Sequence, residues 1–143
     1  MAASKVSIRA ADWNLDQASL RAVREQVFVR EQAVAIELER DDSDPLCQHV
    51  VAEAAGQTIG TGRLLPDGHI GRMAVLKEWR GRGVGQALLR ALIDAARRRG
   101  DREVALNSQV HALRFYGAEG FKAEGPVYEE AGIPHQAMRL KLR

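Results

Sequence analysis

Arg80-Gly81-Arg82-Gly83-Val84-Gly85-Gln86 stands between a short apolar run and a long amphipathic stretch. A glycine-rich turn that opens a helix leaves the first backbone N–H groups without acceptors. It also aims the positive end of the helix dipole at one spot. Such a spot takes phosphate or pyrophosphate. Arg80 and Arg82 add cationic donors suited to phosphate oxygens. No Gly-Lys-Ser/Thr follows, so the turn is not a Walker loop. The dinucleotide spacing Gly-x-Gly-x-x-Gly/Ala fails as well: its third position falls on Gln86 when counted from Gly81 and on Leu88 when counted from Gly83. What remains is Arg-x-x-Gly-x-Gly between a strand and a helix. The competing reading is a tight turn with surface arginines.

The elements on either side follow from hydrophobic period. Val84, Ala87, Leu88, Ala91, Leu92 and Ala95 form one apolar stripe, which predicts a helix over 83–99 with Gly100 as its C-cap. Upstream, strand-like runs at 47–54, 58–65 and 69–76 are separated by short turns and predict an antiparallel meander. Further upstream, Val6 and Ile8 alternate with polar residues over 5–10 and read as a first strand. Asn14 or Asp16 can cap a helix running to about Arg30, with Leu20, Val23, Val27 and Phe28 at helical spacing. Downstream come a strand over 103–107, a short helix over 110–119, and strands over 121–128 and 136–142. The pattern predicts a mixed sheet with helices on both faces.

A chain of 143 residues suits one domain over residues 1–143. Its 45% hydrophobic and 28% charged residues are ordinary for a soluble protein. No apolar stretch approaches the roughly 18 residues a membrane span needs, and the N-terminus lacks the apolar region of a signal peptide. A single cysteine, Cys47, precludes an intrachain disulfide and a cysteine-based metal cluster; a cytoplasmic location fits. Residues 1–45 carry six Lys/Arg against nine Asp/Glu, whereas the rest carry 15 against 10. The basic part suits a phosphorylated ligand. It does not suit nucleic acid, because its cations are interleaved with acids. Arg97-Arg98-Arg99 ends a helix, where cations complement the dipole. The four histidines, at 49, 69, 111 and 135, show no metal-ligand spacing, and Asp41-Asp42-Ser43-Asp44 lacks the remaining residues of a calcium loop. The latter reads as a solvated turn, and His49 and His69 as ordinary strand residues.

Arg80-x-x-Gly83-x-Gly85, preceded by Arg72-Met73-Ala74-Val75, resembles the acetyl-CoA motif of the GNAT N-acetyltransferases. Phe115-Tyr116-Gly117-Ala118-Glu119-Gly120-Phe121 is similar to that family's Phe-Tyr-x-x-x-Gly-Phe segment. Two longer stretches, Arg24–Gln32 and Tyr128–His135, resemble the ElaA-like branch. The resemblance implies a mostly antiparallel twisted sheet of about six or seven strands flanked by about four helices. It also implies acetyl-CoA as cosubstrate, with no metal. Met73, Ala74 and Val75 would hold the pantetheine arm through their backbone. Arg80, Gly81, Arg82, Gly83, Val84, Gly85 and Gln86 would hold the pyrophosphate, with Asn107 and Phe115 beside the arm. A homodimer is compatible with the family; a membrane or nucleic-acid partner is not expected.

The resemblance implies an acetyl group passed directly to the primary amine of a small molecule. Such transfer needs a neutral amine, an aligned thioester, an oxyanion donor and a proton for the departing sulfur. A backbone N–H near Val75 is the expected oxyanion donor, by resemblance. Tyr116, nine residues beyond Asn107, is the expected acid, against the alternative of a tyrosine whose ring packs in the core. His135 is the candidate base, against a histidine that orients the 129–134 turn. His111 could reach the same cleft. Arg24, Glu31, Arg63 and Arg72 are the candidates to line the acceptor pocket; Glu31 would attract an ammonium and the arginines an anion. Cys47 has no evident activating partner, so a covalent acyl-enzyme is not expected. The alternative to an enzyme is an acyl-CoA-binding sensor of the same fold, which would keep the loop and dispense with Tyr116 and His135.

Overall fold

The computed structural model describes residues 5–143. Strand β1 (Val6–Ala11) forms one residue later at each end than the alternation places it. Asp12 caps helix α1 (Trp13–Arg24): its carboxylate accepts from the Asn14 N–H at 2.8 Å, and Asp16 accepts from the Asp12 N–H at 2.9 Å. These bonds satisfy donors that a first helical turn leaves over. The chain stays helical to Glu31, as expected, but Glu25–Glu31 is wound as a π-helix in which Gln32 N–H donates to Val27 O at 3.1 Å. Such segments recur at functional sites. A single turn, α2 (Ile36–Glu39), follows.

The meander forms as β2 (Gln48–Ala54), β3 (Gln57–Leu64) and β4 (Ile70–Val75). Ala55 and Gly56 both take positive φ, 51° and 75°, the backbone of a two-residue hairpin turn. Helix α3 (Val84–Arg99) leads to β5 (Glu103–Gln109). The expected helix over 110–119 is shorter: one 3₁₀ turn, then α4 (Leu113–Gly117). β6 (Lys122–Glu130) and β7 (Ile133–Lys141) close the chain.

The seven strands do not make one continuous mixed sheet. Among the described residues they form two antiparallel sheets, β1-β2-β3-β4 and β5-β7-β6, joined by one parallel bridge between His69 and Ala105. β7 runs antiparallel beside β5 over seven residue pairs, and the other edge of β5 meets β4 only at that bridge.

The two faces of β3 are used differently, because successive side chains point to opposite sides. Gly60 and Gly62 face α3. A Cβ on them would come within 2.9 Å of Leu88 Cδ1 and 2.8 Å of Leu92 Cδ1, so glycine is what lets the helix lie this close. Around that approach α3 buries Val84, Leu88, Leu89, Leu92, Ile93, Ala95 and Ala96, a wider band than the sequence stripe. Thr61 and Arg63 face the other way, toward α1 and the π-helix, where Val23 and Val27 pack on Ala74.

Candidate active-site cleft

β4 and β5 are tied at their starts, where the Ala105 N–H donates to Gly68 O at 3.1 Å. Beyond that tie their paths separate. A cleft of about 1180 Å³ opens between them, with Met73, Ala74 and Val75 on one wall and Leu106, Asn107 and Gln109 on the other.

One wall carries a bulge. Arg63 pairs with Gly71 and Thr61 with Ala74, so two steps of β3 face three of β4. The extra residue falls at Arg72–Met73, slightly upstream of Val75, near which the resemblance puts the oxyanion donor. Arg72 takes φ 50°, a left-handed conformation that a long side chain adopts only under strain. Thr61 supports it by donating to Arg72 O at 3.2 Å. Bulges break the ladder and leave backbone groups free to face a ligand.

At one end of the cleft lies the glycine loop. Gly81 and Gly83 have φ 75° and 80°, and a Cβ on either would meet nothing within 4 Å. Gly83 is the residue before α3, and no side chain caps the helix. The first amides of a 16-residue helix are thus left to the cleft. Gly85 is needed for a different reason: a Cβ there would sit 3.3 Å from Phe115 Cζ. Arg80 is engaged in the free protein, donating through Nε to Val75 O at 2.9 Å and through Nη2 to Glu31 at 2.9 Å. Gln86 donates to Glu119 at 2.7 Å, and Arg82 lies over the Trp79 ring. Arg82 and Glu31 are not among the cleft-lining residues.

Tyr116 reaches the cleft from α4. Its ring packs edge-on against Phe115 and Phe121, at centroid distances of 4.9 and 6.0 Å. Burial alone pushes the phenol pKa up to about 12. The ring thus packs on the core, as one of the two sequence readings expects, and the residue also lines the cleft.

His135 lies on the opposite wall, directly across from Gln109 in the β5–β7 ladder. Its Nδ1 is 2.6 Å from Ile133 O, which makes that nitrogen the protonated one in the neutral ring and leaves a lone pair on Nε2. Nε2 is 3.8 Å from the Glu130 carboxylate, and the Tyr128 ring stacks alongside. So His135 is bonded within the hairpin turn, and the residue also lines the cleft. His111 lines the same space and is exposed.

The acceptor candidates are rearranged. Arg24 does not line the cleft: it is 1% exposed and binds Glu39 and Asp44. Arg63 lines it, but two of its nitrogens are held by Asp41 and Asp44 at 2.7 and 2.8 Å. Arg72 lines it with its guanidinium turned back to Glu39 O and Asp41. The 41–44 segment is therefore only in part the solvated turn expected: Asp41 and Asp42 are exposed, but Asp44 is buried. Asp44 is 2% exposed; burial opposes its charge, but Arg24 and Arg63 hold its carboxyl below the usual range. The Arg63 guanidinium holds Asp41 down to about 2. Buried charges persist only when paired in this way. His49 is more than a strand residue too: it is buried, stacks on Trp13, and sits 2.8 Å from Asp44 O. Burial raises the Cys47 thiol pKa, the opposite of an activated nucleophile.

Among the cleft residues that escape a sequence reading are Gln32, Gln109 and Glu130. Gln32 and Glu130 lie within the two segments that carry the narrower resemblance. Gln109 continues the face of β5 that Asn107 begins, a period-2 signal.

A helix start with uncapped amides, a split between two sheets and a bulged wall are the arrangement of an acyl-CoA N-acyltransferase fold. The family model for the acetyltransferase (GNAT) domain matches residues 11–142, and the chain belongs to that family. It is 38% identical to the uncharacterized N-acetyltransferase YjcF of Bacillus subtilis, over 81% of this chain and 86% of that one. It is 31% identical to ElaA of Escherichia coli, over 87% and 86% respectively. Among solved structures, an acyl-CoA N-acyltransferase from Pseudomonas aeruginosa superposes with a TM-score of 0.82 at 34% identity, covering 96% of this chain and 99% of that one.

Proposed function

We propose that this chain transfers an acetyl group from acetyl-CoA directly to a primary amine of a small molecule. The observation that carries the reading is the left-handed glycine loop, whose uncapped amides open onto the cleft that Tyr116 and His135 share. Those amides and Arg80 suit a pyrophosphate, and the open space over Gly81 and Gly83 admits it against the backbone. Met73, Ala74 and Val75 would hold the pantetheine arm, with Asn107 and Phe115 facing it. Acetyl-CoA supplies the acetyl group as a thioester.

The chain's own residues do the rest. His135 Nε2 takes a proton from the arriving ammonium, and the nearby Glu130 carboxylate steadies the imidazolium that results. A backbone N–H at the Arg72–Met73 bulge faces the negative charge that develops on the carbonyl oxygen. Tyr116 serves the sulfur. A phenol at about 12 surrenders its proton uphill to a thiol of about 8.5. What it gives without that cost is a hydrogen bond to the sulfur as negative charge builds there; the second proton, shed by the nitrogen once it is bonded to the acetyl carbon, goes to the departing thiolate.

Thiol release from acetyl-CoA over a panel of primary amines tests the proposal, with Gly83→Asp as control. Turnover in the wild type and a rise of about tenfold or more in the acetyl-CoA KM of Gly83→Asp are expected, because a carboxylate on the loop repels phosphate. Binding of CoA without turnover on any amine would make the chain a sensor instead.

A further inference from the structure

Gln32 and Gln109 are 77 positions apart and meet across the cleft. Gln32 Nε2 donates to Gln109 Oε1 at 3.2 Å, and Gln109 Nε2 donates back to Gln32 Oε1 at 2.9 Å. One amide comes from the end of the π-helix, the other from the last residue of β5. Each is only part-buried, and each keeps one N–H and one oxygen lone pair beyond the mutual pair. The dyad lies beside the candidate base, because Gln109 is the cross-strand partner of His135. Directly paired residues of an antiparallel ladder have Cβ atoms about 5 Å apart. An amine delivered to His135 Nε2 therefore brings its neighbouring atoms against Gln109.

We infer that the Gln32–Gln109 dyad reads a carboxamide on the carbon next to the acceptor's amine. The inference rests on the acetyltransferase reading above and narrows its substrate class. A carboxylate in the same place would find donors but would also face two carbonyl oxygens. The guanidinium groups that would serve a carboxylate are already held, Arg63 by Asp41 and Asp44, and Arg72 by Asp41 and the Glu39 carbonyl. A carboxamide matches both halves of each glutamine. Its N–H takes a glutamine oxygen and its carbonyl takes a glutamine N–H, so the two side chains exchange one amide partner for another of the same kind.

The test compares thiol release with L-alaninamide and with isopropylamine, in which a methyl group replaces the carboxamide. Each acceptor is measured in wild type, Gln32→Leu and Gln109→Leu. Ratios of variant to wild type cancel the difference in amine basicity. Loss of a hydrogen bond predicts a fall of roughly tenfold in kcat/KM for alaninamide, with isopropylamine within about twofold and the acetyl-CoA KM unmoved. The dipeptide L-alanyl-glycine falling in parallel with alaninamide would point to peptide N-termini as the source of the group. Its staying inert would point to free amino-acid amides. Equal losses for alaninamide and isopropylamine, or none for either, would overturn the inference and leave the proposed activity standing. L-alanine falling as far as alaninamide would overturn the carboxamide assignment. No thiol release from wild type with any amine would remove the proposed activity and this inference with it.

Discussion

Tyr116 shows how much a single residue's surroundings decide. Its place in a Phe-Tyr segment is readable from sequence; its proton affinity is not, since that depends on Phe115 and Phe121 closing around the ring. With a pKa near 12, the phenol stays neutral throughout the range in which an enzyme is assayed. Tyr116→Phe should lower kcat about 100-fold and leave the acetyl-CoA KM nearly unchanged, a loss confined to the step in which sulfur departs. The sign of the pH effect follows. Ionisation of Tyr116 would remove the donor only near pH 12, so any alkaline fall in wild-type kcat below pH 11 belongs to another group. That fall should persist in Tyr116→Phe; its disappearance would show that the phenol titrates and does not stay protonated. Arg24 is the opposite lesson. A charged residue on an apolar-faced helix reads as a ligand-facing cation, yet the same composition serves a buried ion cluster. Only the packing of Glu39 and Asp44 against it tells the two apart.

At the scale of elements, α3 was legible because its apolar stripe, glycine-rich start and C-cap at Gly100 all agree. The π-helix over Glu25–Glu31 was not, because a one-residue change in hydrogen-bond register leaves no mark on composition. Nor was the division into two sheets. Which strand β7 chooses as neighbour is a long-range pairing, whereas the alternation pattern is local. The contact of α3 with β3 rests on Gly60 and can be tested there. A methyl group at Gly60 would meet Leu88 Cδ1 at 2.9 Å and Ala74 O at 3.3 Å. The leucine tip can turn aside, but the carbonyl belongs to the cleft wall. Gly60→Ala should cost about 1–3 kcal/mol in urea unfolding, through overpacking. Unchanged stability would mean that α3 has room to move outward.

For the whole molecule, acid is the revealing perturbation. His49 is held below its ordinary 6.5 by burial, so the folded protein binds its proton less readily than the unfolded chain does. Asp41, held by Arg63 at about 2 against 3.8, behaves in the same sense. Both groups have a lower pKa when folded, so both contributions are present at high pH and are lost on acidification. His49's begins to fall near pH 6.5; Asp41's falls between about 4 and 2. Urea midpoints measured from pH 8 to 3 should be level above 7 and decline below 6.5, with a second decline under 4. Replacing His49 by Gln should erase the first decline; its persistence would assign that decline elsewhere.

The bridge at His69–Ala105 has a consequence for how the molecule breathes. Two independently laddered sheets meeting at one rung resemble the covers of a book held by a single stitch. Each cover is stiff, and the angle between them is set by that stitch and by the core they share through α3. A molecule lodged between β4 and β5 would set that angle and tighten the stitch. The exchange of the Ala105 amide with solvent deuterium, read with and without CoA, therefore gauges how far the covers open.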